Sequence, residues 1–316
     1  MNGERDTAID FVKLMAIFLV INSHMAICYV KYPSLATGGA IADALFFFAS
    51  GFTLFLGRDS SFPEWFGRRL SRIYPSVFSV AIITAIAWKA SDSFMDVILL
   101  RRYWFLQCII VLYPILFLIK SYASRVWLVF VVAVAVIVGS FPFLHGGKGL
   151  FYADGYFRWA VFFLFMLLGA MVGKGRLKIP NLSLPIIIAI LIFSVLLWYF
   201  VIVEARDSWW QILSIIPLFS ITLSLYLFGR SGLISWVYSR NCSRHLLISI
   251  GSLCLECYLV QKFIITDKLN NLFPFNILIL MIAIVGFSYM VKVFANLLSC
   301  LFRSEPFSLK LLFSVF

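Results

Sequence analysis

The stretch Asp10-Phe11-Val12-Lys13-Leu14-Met15-Ala16-Ile17-Phe18-Leu19-Val20-Ile21-Asn22-Ser23-His24 decides how the chain is read. It has the apolar density of a membrane helix, yet it carries an acid, a base, an amide and an imidazole. Ionisable groups inside hydrocarbon are costly and mark functional positions. At ~100° per residue, Lys13 and His24 are separated by three turns plus about 20°, and Asp10, one turn before Lys13, falls on the same face. One stripe of this helix is therefore polar and has to face protein or water rather than lipid. Along the stripe Lys13 and His24 stand about 16 Å apart, at a rise of ~1.5 Å per residue.

The rest of the chain agrees with a membrane setting. Of its 316 residues 63% are hydrophobic, and the mean hydropathy is +1.01; soluble domains are about 45–50% apolar. Charged residues make up only 13%, too few to clothe a soluble domain. The net charge of +12 does not point to nucleic acid, because the basic residues occupy short gaps between apolar runs, where they set membrane orientation. Six cysteines lie scattered among apolar residues and read as small buried hydrophobes,. Cys254 and Cys257 form a CxxC inside an apolar span, a poor setting for metal or redox chemistry, and no metal is expected. The first segment is not a cleaved signal, since polar groups interrupt it and no small-residue cleavage site follows.

Apolar windows of spanning length fall at residues 8–30, 37–57, 74–91, 103–120, 125–143, 157–173, 184–203, 210–229, 246–266 and 275–301. Arg5, Arg58, Arg68, Arg69, Arg72, Lys120, Arg125, Lys174, Arg176, Lys178, Arg230, Arg240, Arg244, Arg303 and Lys310 collect on one side. They outnumber about two to one the opposite set of Lys31, Arg101, Arg102, Lys148, Arg158, Arg206 and Lys268,. Both termini are then cytoplasmic, as an even number of spans also requires. The expected fold class is all-α: a polytopic membrane protein of about ten helices around a polar cavity, with residues 1–316 as a single domain. In this arrangement Lys13 lies near the inner side, His24 about two-thirds of the way out, and Asp43 on the second helix at the depth of His24.

Further motifs follow the first helix. The second ends Phe46-Phe47-Phe48-Ala49-Ser50-Gly51, and Arg68-Arg69-Leu70-Ser71-Arg72-Ile73-Tyr74-Pro75 leads into the third. With Asp10, Lys13 and His24, these resemble the acyltransferase-3 family of bacterial membrane proteins. That family carries D-x-x-R/K, ten residues and a His in its first helix, F-F-x-x-S-G in its second, and R-x-x-R-x-x-P before its third. Looser matches are Tyr103-Trp104-Phe105-Leu106 and Gly251 with Tyr258-Leu259-Val260-Gln261; at Gln261 the family often has histidine. The resemblance implies an O-acyltransferase of the bacterial cytoplasmic membrane. Acyl-CoA, usually acetyl-CoA, would be the donor, and the acceptor a hydroxyl of a cell-surface polysaccharide or its lipid-linked precursor. Some relatives carry an additional soluble hydrolase-like domain; none is seen here, so transfer is expected within the membrane domain unless a separate protein takes part.

Each candidate has a competing structural reading. His24, whose ordinary pKa allows proton exchange near neutrality, is read as the general base; a transient acyl-histidine or a purely structural histidine are the alternatives. Asp43 is a candidate to orient its imidazole, as an acid does in triads. Lys13 is either a fixed charge on the donor's path or, with Asp10, an interfacial ion pair. Arg68, Arg69 and Arg72 suit the phosphates of CoA through their guanidinium forks, but inner loops are basic in any case. Glu256, near mid-membrane, needs a partner or a raised pKa there and is a catalytic candidate lining the cavity near Lys13 or His24. Ser50, Trp104 and Gln107 are cavity candidates, against close helix packing for Ser50 and an aromatic belt for Trp104. His145 and His245 read as solvent or interface residues. The rival class is a glycan transporter or flippase, but no internal repeat and no matched pair of broken helices is visible.

Overall fold

The computed structural model describes residues 6–56, 60–89, 93–121, 125–144, 150–151, 157–175, 177–205, 208–303 and 312–314. In chain order the helices are α1 Thr7–His24, α2 Gly39–Leu56, α3 Phe62–Trp88, α4 Phe94–Ile98, α5 Trp104–Ser121, α6 Val126–Leu144 and α7 Phe157–Gly173. They continue with α8 Leu184–Glu204, α9 Ile215–Gly229, α10 Gly232–Ser239, α11 Asn241–Ser252, α12 Cys254–Ile264 and α13 Phe275–Arg303. Among the described residues there is no strand. Seven stretches are long and apolar enough to cross a membrane: Thr7–His24, Pro33–Leu56, Phe62–Trp88, Val126–Phe143, Leu184–Glu204, Trp209–Gly229 and Phe275–Cys300. The bent pair Ser243–Ser252 and Cys254–Ile264 makes an eighth if it is one span, and Trp104–Lys120 and Phe157–Gly173 are shorter apolar helices. The fold is thus all-α with seven or eight apolar spans, and each of the ten apolar windows contains a helix, two of them shorter than a span.

Three boundaries differ from the sequence expectation, each for a local reason. α1 stops at His24 instead of running to residue 30. The Asn22 amide donates to the carbonyls of Leu35 (2.8 Å) and Thr37 (3.0 Å), and the Tyr29 hydroxyl donates back to it at 2.6 Å. The chain after His24 is folded over the helix end rather than continuing it, so His24 terminates α1 and does not lie within a longer span. α3 begins at Phe62, twelve residues before the expected 74. Hydropathy stops at the arginines, but the helix does not. Pro63 suits its first turn, Glu64 pairs with Arg68 at i, i+4 and 2.8 Å, and Phe62 stacks on Phe66 at 5.4 Å. Arg68, Arg69 and Arg72 are therefore helical, not in a loop. The ninth window is not one straight helix: α11 and α12 meet at Leu253 with a 70° bend. There the Ser252 hydroxyl donates to the Ile248 and Ser249 carbonyls and the Cys254 thiol to the Gly251 carbonyl. Side-chain donors so satisfy carbonyls that a break would leave bare.

The chain falls into two compact units. One comprises Met1–Ala16, Ala40–Arg58 and Leu112–Arg244. Its core is aromatic: Phe47 stacks on Phe162 at 5.5 Å, Phe165 on Phe219 at 4.5 Å, and Phe48 meets Tyr226 edge-on at 5.5 Å. Within it α2 and α7 touch backbone to backbone. A Cβ at Gly51 would fall on the Met166 carbonyl, and one at Gly169 on the Phe48 carbonyl. The glycine of the F-F-x-x-S-G motif is required by this approach, as small residues are wherever membrane helices come together closely. The other unit comprises Ile17–Gly39, Asp59–Val111 and His245–Phe316. In it α3 packs against α12 and α13, and these two against each other.

Candidate functional site

Most candidate residues fall in the second unit: His24, Arg68, Arg69, Arg72, Trp104, Gln107 and Glu256. Its frame is α3. On that helix Arg69, Arg72 and Ser76 lie within about 60° of one face, over a rise of ~10 Å. The three arginines are not equivalent. Arg68 is engaged by Glu64 and by the Ser60 hydroxyl at 2.6 Å, which anchors the start of the helix. The Arg69 guanidinium lies over the buried Trp65 ring at 5.2 Å, a cation–π contact that fixes its direction. Arg72 is exposed.

One turn beyond Arg72 the same face meets a buried carboxylate. The Ser76 hydroxyl donates to Glu256 Oε1 at 2.6 Å, and Lys292 Nζ of α13 stands 3.4 Å from the same oxygen. Glu256 is 1% exposed, and among the described residues its Oε2 has no hydrogen-bond partner. Glu256 lies in the first turn of α12, just after the bend, where the helix dipole favours a negative charge. The sequence asked what this carboxylate pairs with, and the partners are Ser76 and Lys292. Further along α12, Gln261 is fully buried with neither end of its amide partnered among the described residues.

The far end of α3 packs against α12 and α13. Trp88 packs on Phe263 of α12 at 5.8 Å and on Phe287 of α13 at 5.9 Å. Next to Phe263, Lys262 donates to the Arg102 carbonyl at 3.2 Å and lies 5.8 Å from the Tyr103 ring. Its charge reaches the imidazole of His24, which is exposed at the end of α1. The turn after His24 is clamped to the chain beyond α12. The Cys28 thiol donates to the Thr266 carbonyl (3.5 Å), Asn270 to the Ile27 carbonyl (2.8 Å), and Asn276 to the Cys28 carbonyl (2.9 Å). Burial pushes the Cys28 thiol and the Tyr29 phenol up from their ordinary ranges, so both stay protonated donors.

The remaining candidates are dispersed. Asp10, Lys13, Asp43 and Ser50 belong to the first unit. Asp10 is buried and Lys13 half-buried. The charge acting on Asp43 is that of Arg158 at the start of α7. Gln107 donates its amide to the Leu99 carbonyl at 2.8 Å and so tethers the α4–α5 connection. Trp104 is half-buried, edge-on to Phe105 at 6.1 Å. His245 is exposed in α11. The loop at His145 and the basic residues Arg5, Arg58, Lys148, Arg176, Arg206 and Lys310 lie outside the described residues. A groove of about 420 Å³ between α8 and α9, lined by residues such as Phe193, Ser194, Leu197 and Ser220, includes none of the candidates. Sequence reasoning assigned no role to Asn22, Ser76, Lys262 or Lys292. The two lysines carried a usable signal, since each is an ionisable residue in an apolar span; Ser76 carried none.

Among the described residues no cluster of metal-ligating side chains occurs. The comparisons with curated proteins and with solved structures give no match. A family model described as an acyltransferase domain matches residues 6–293 of the 316-residue chain. That range contains α1 with its polar stripe, the Arg69–Arg72–Ser76 face, and the Glu256, Lys262 and Lys292 groups, and it shows the chain to belong to the acyltransferase-3 family of acyltransferases.

Proposed function

We propose that this acyltransferase takes an acyl group, acetyl in the simplest case, from acyl-CoA at the cytoplasmic face. It passes the group to a hydroxyl of a cell-surface polysaccharide or of its lipid-linked precursor, with His24 as general base. The observation that carries this reading is the arrangement along α3: arginines at one end, and at the other the Trp88–Phe263 contact beside Lys262 and His24. From Arg72 to Trp88 the helix rises ~24 Å. The reach of the arginine side chains shortens this to the order of an extended phosphopantetheine arm. Arg69 and Arg72 would pair with the phosphates of CoA, for which guanidinium forks are suited. Arg68 is given no such part, because Glu64 and Ser60 hold it. Lys13, on the His24 face of α1, would add a fixed positive charge along the donor.

In the reaction the acceptor oxygen attacks the thioester carbonyl while His24 takes the hydroxyl proton. The new C–O bond forms, the tetrahedral intermediate collapses, and the C–S bond breaks. The departing thiolate of CoA recovers the proton from the imidazolium, which returns His24 to its starting state. The test is His24→Ala in cells whose surface glycans are analysed by mass spectrometry. The acyl group disappears from the glycan while the protein remains in the membrane with an unchanged melting temperature. A His24→Ala protein that still acylates the glycan refutes the assignment.

A further inference from the structure

We propose that Lys262 supplies the positive charge that holds the thioester carbonyl oxygen opposite His24 and stabilises the oxyanion formed there. The inference rests on the reading of His24 as general base and names the electrophilic half of the same site. Lys262 has a fixed position. One of its three ammonium N–H groups donates to the Arg102 carbonyl at 3.2 Å, and the ammonium sits 5.8 Å from the Tyr103 ring. Its side chain is exposed, and no other hydrogen bond to it occurs among the described residues.

The juxtaposition with His24 has independent support in geometry. Three hydrogen bonds tie the turn Ala26–Cys28 to residues 266–276: Cys28 to Thr266, Asn270 to Ile27, and Asn276 to Cys28. The C-terminal end of α1 and that of α12 are thereby held side by side. The charge of Lys262 registers at the His24 ring. At this end Arg102 also adjoins Lys262, and Asp267 adjoins Cys28.

As the acceptor oxygen attacks, the carbonyl π electrons move onto oxygen, and the negative charge forms where a free ammonium N–H can donate to it. The charge returns to carbon when the C–S bond breaks. A preorganised cation at that point acts on the transition state more than on bound donor. The competing role is structural: a basic residue in the last turn of α12 complements the helix dipole. A structural lysine affects how much folded protein there is, not the turnover of the folded fraction.

The experiment uses the full chain in proteoliposomes, acetyl-CoA as donor and extracted surface glycan as acceptor, with release of free CoA thiol as the readout. Lys262→Gln keeps a donor for the Arg102 carbonyl and loses the charge. Its kcat is expected to fall about 100-fold with the KM for acetyl-CoA within about threefold. Lys262→Arg is expected to recover to within about tenfold of the parent, because the charge returns. A Lys262→Gln protein with parental kcat overturns the proposal, as does a loss confined to the yield of folded protein. Alongside, His24→Ala separates the two readings. If it is inactive and Lys262→Gln is not, only the Lys262 assignment falls; if it is active, the base assignment falls and this one with it.

Discussion

Replacing Lys292 with methionine takes the cation away from a carboxylate that is 1% exposed, whereas replacing Glu256 with glutamine leaves a lysine that is 23% exposed. The two losses should differ for that reason. In Lys292→Met, Glu256 keeps only the Ser76 hydroxyl at 2.6 Å. Removing one partner of a buried ion pair costs about 3–5 kcal/mol, because the remaining charge is uncompensated. In Glu256→Gln the Lys292 ammonium can extend toward a polar region, and the Gln amide can still accept from Ser76. Its cost should stay near the ~1 kcal/mol of an ordinary hydrogen bond. The gap of roughly 2–4 kcal/mol corresponds to a factor of about 30 to 800 in the unfolding constant. Adding Glu256→Gln to Lys292→Met should recover part of the loss, since the double variant buries no unpaired charge. Unfolding of the purified protein in mixed micelles, followed by far-UV circular dichroism, measures all three. Equal destabilisation by the two single variants, or a double variant that is simply additive, refutes the view that a desolvated carboxylate dominates this cluster.

Two further predictions follow from the packing. Charge reversal at Arg69 and Arg72 should weaken acetyl-CoA binding at least about tenfold, as expected for lost charge-assisted contacts to phosphate, while Arg68→Ala, which removes a group already held by Glu64 and Ser60, should change it less than about twofold; KM for acetyl-CoA reports both, and an equal effect at the three positions contradicts the distinction. Gly51→Ala should destabilise by roughly 1–3 kcal/mol or more, as overpacking does, because its methyl would meet the Met166 carbonyl, whereas Gly67→Ala, with nothing within 4 Å of its Cβ position, should be neutral or stabilising by up to ~1 kcal/mol. Melting temperatures of the two variants decide this.

Each of the seven long apolar helices falls on an apolar window, because hydropathy is a local and additive property of the chain. The same measure misplaced the start of α3. Arg68, Arg69 and Arg72 lower a window's hydropathy without lowering helix propensity, and Glu64 with Pro63 supplied the actual start. It also missed the bend at Leu253, where a glycine–serine pair and side-chain donors break a helix whose composition stays apolar. Candidates could be named from the sequence where chemistry and period coincide on one element, as with Asp10, Lys13 and His24 on α1. Partners on another element, such as Ser76 and Lys292 for Glu256, were not legible.

By itself the sequence determined a membrane-embedded, all-helical chain with a polar stripe on α1 and a family signature in its first quarter. Composition, period and spacing are read along one segment, and these properties need nothing else. Only the tertiary structure decided that Ser76 and Lys292 answer Glu256 and that Lys262 stands at the His24 end of α1. It also decided that Gly51 carries a backbone contact, and that Arg68 is occupied while Arg72 is exposed. Ser76 and Glu256 are 180 residues apart. A pairing at that separation depends on which helices pack and at what rotation, and no local pattern of residues specifies either.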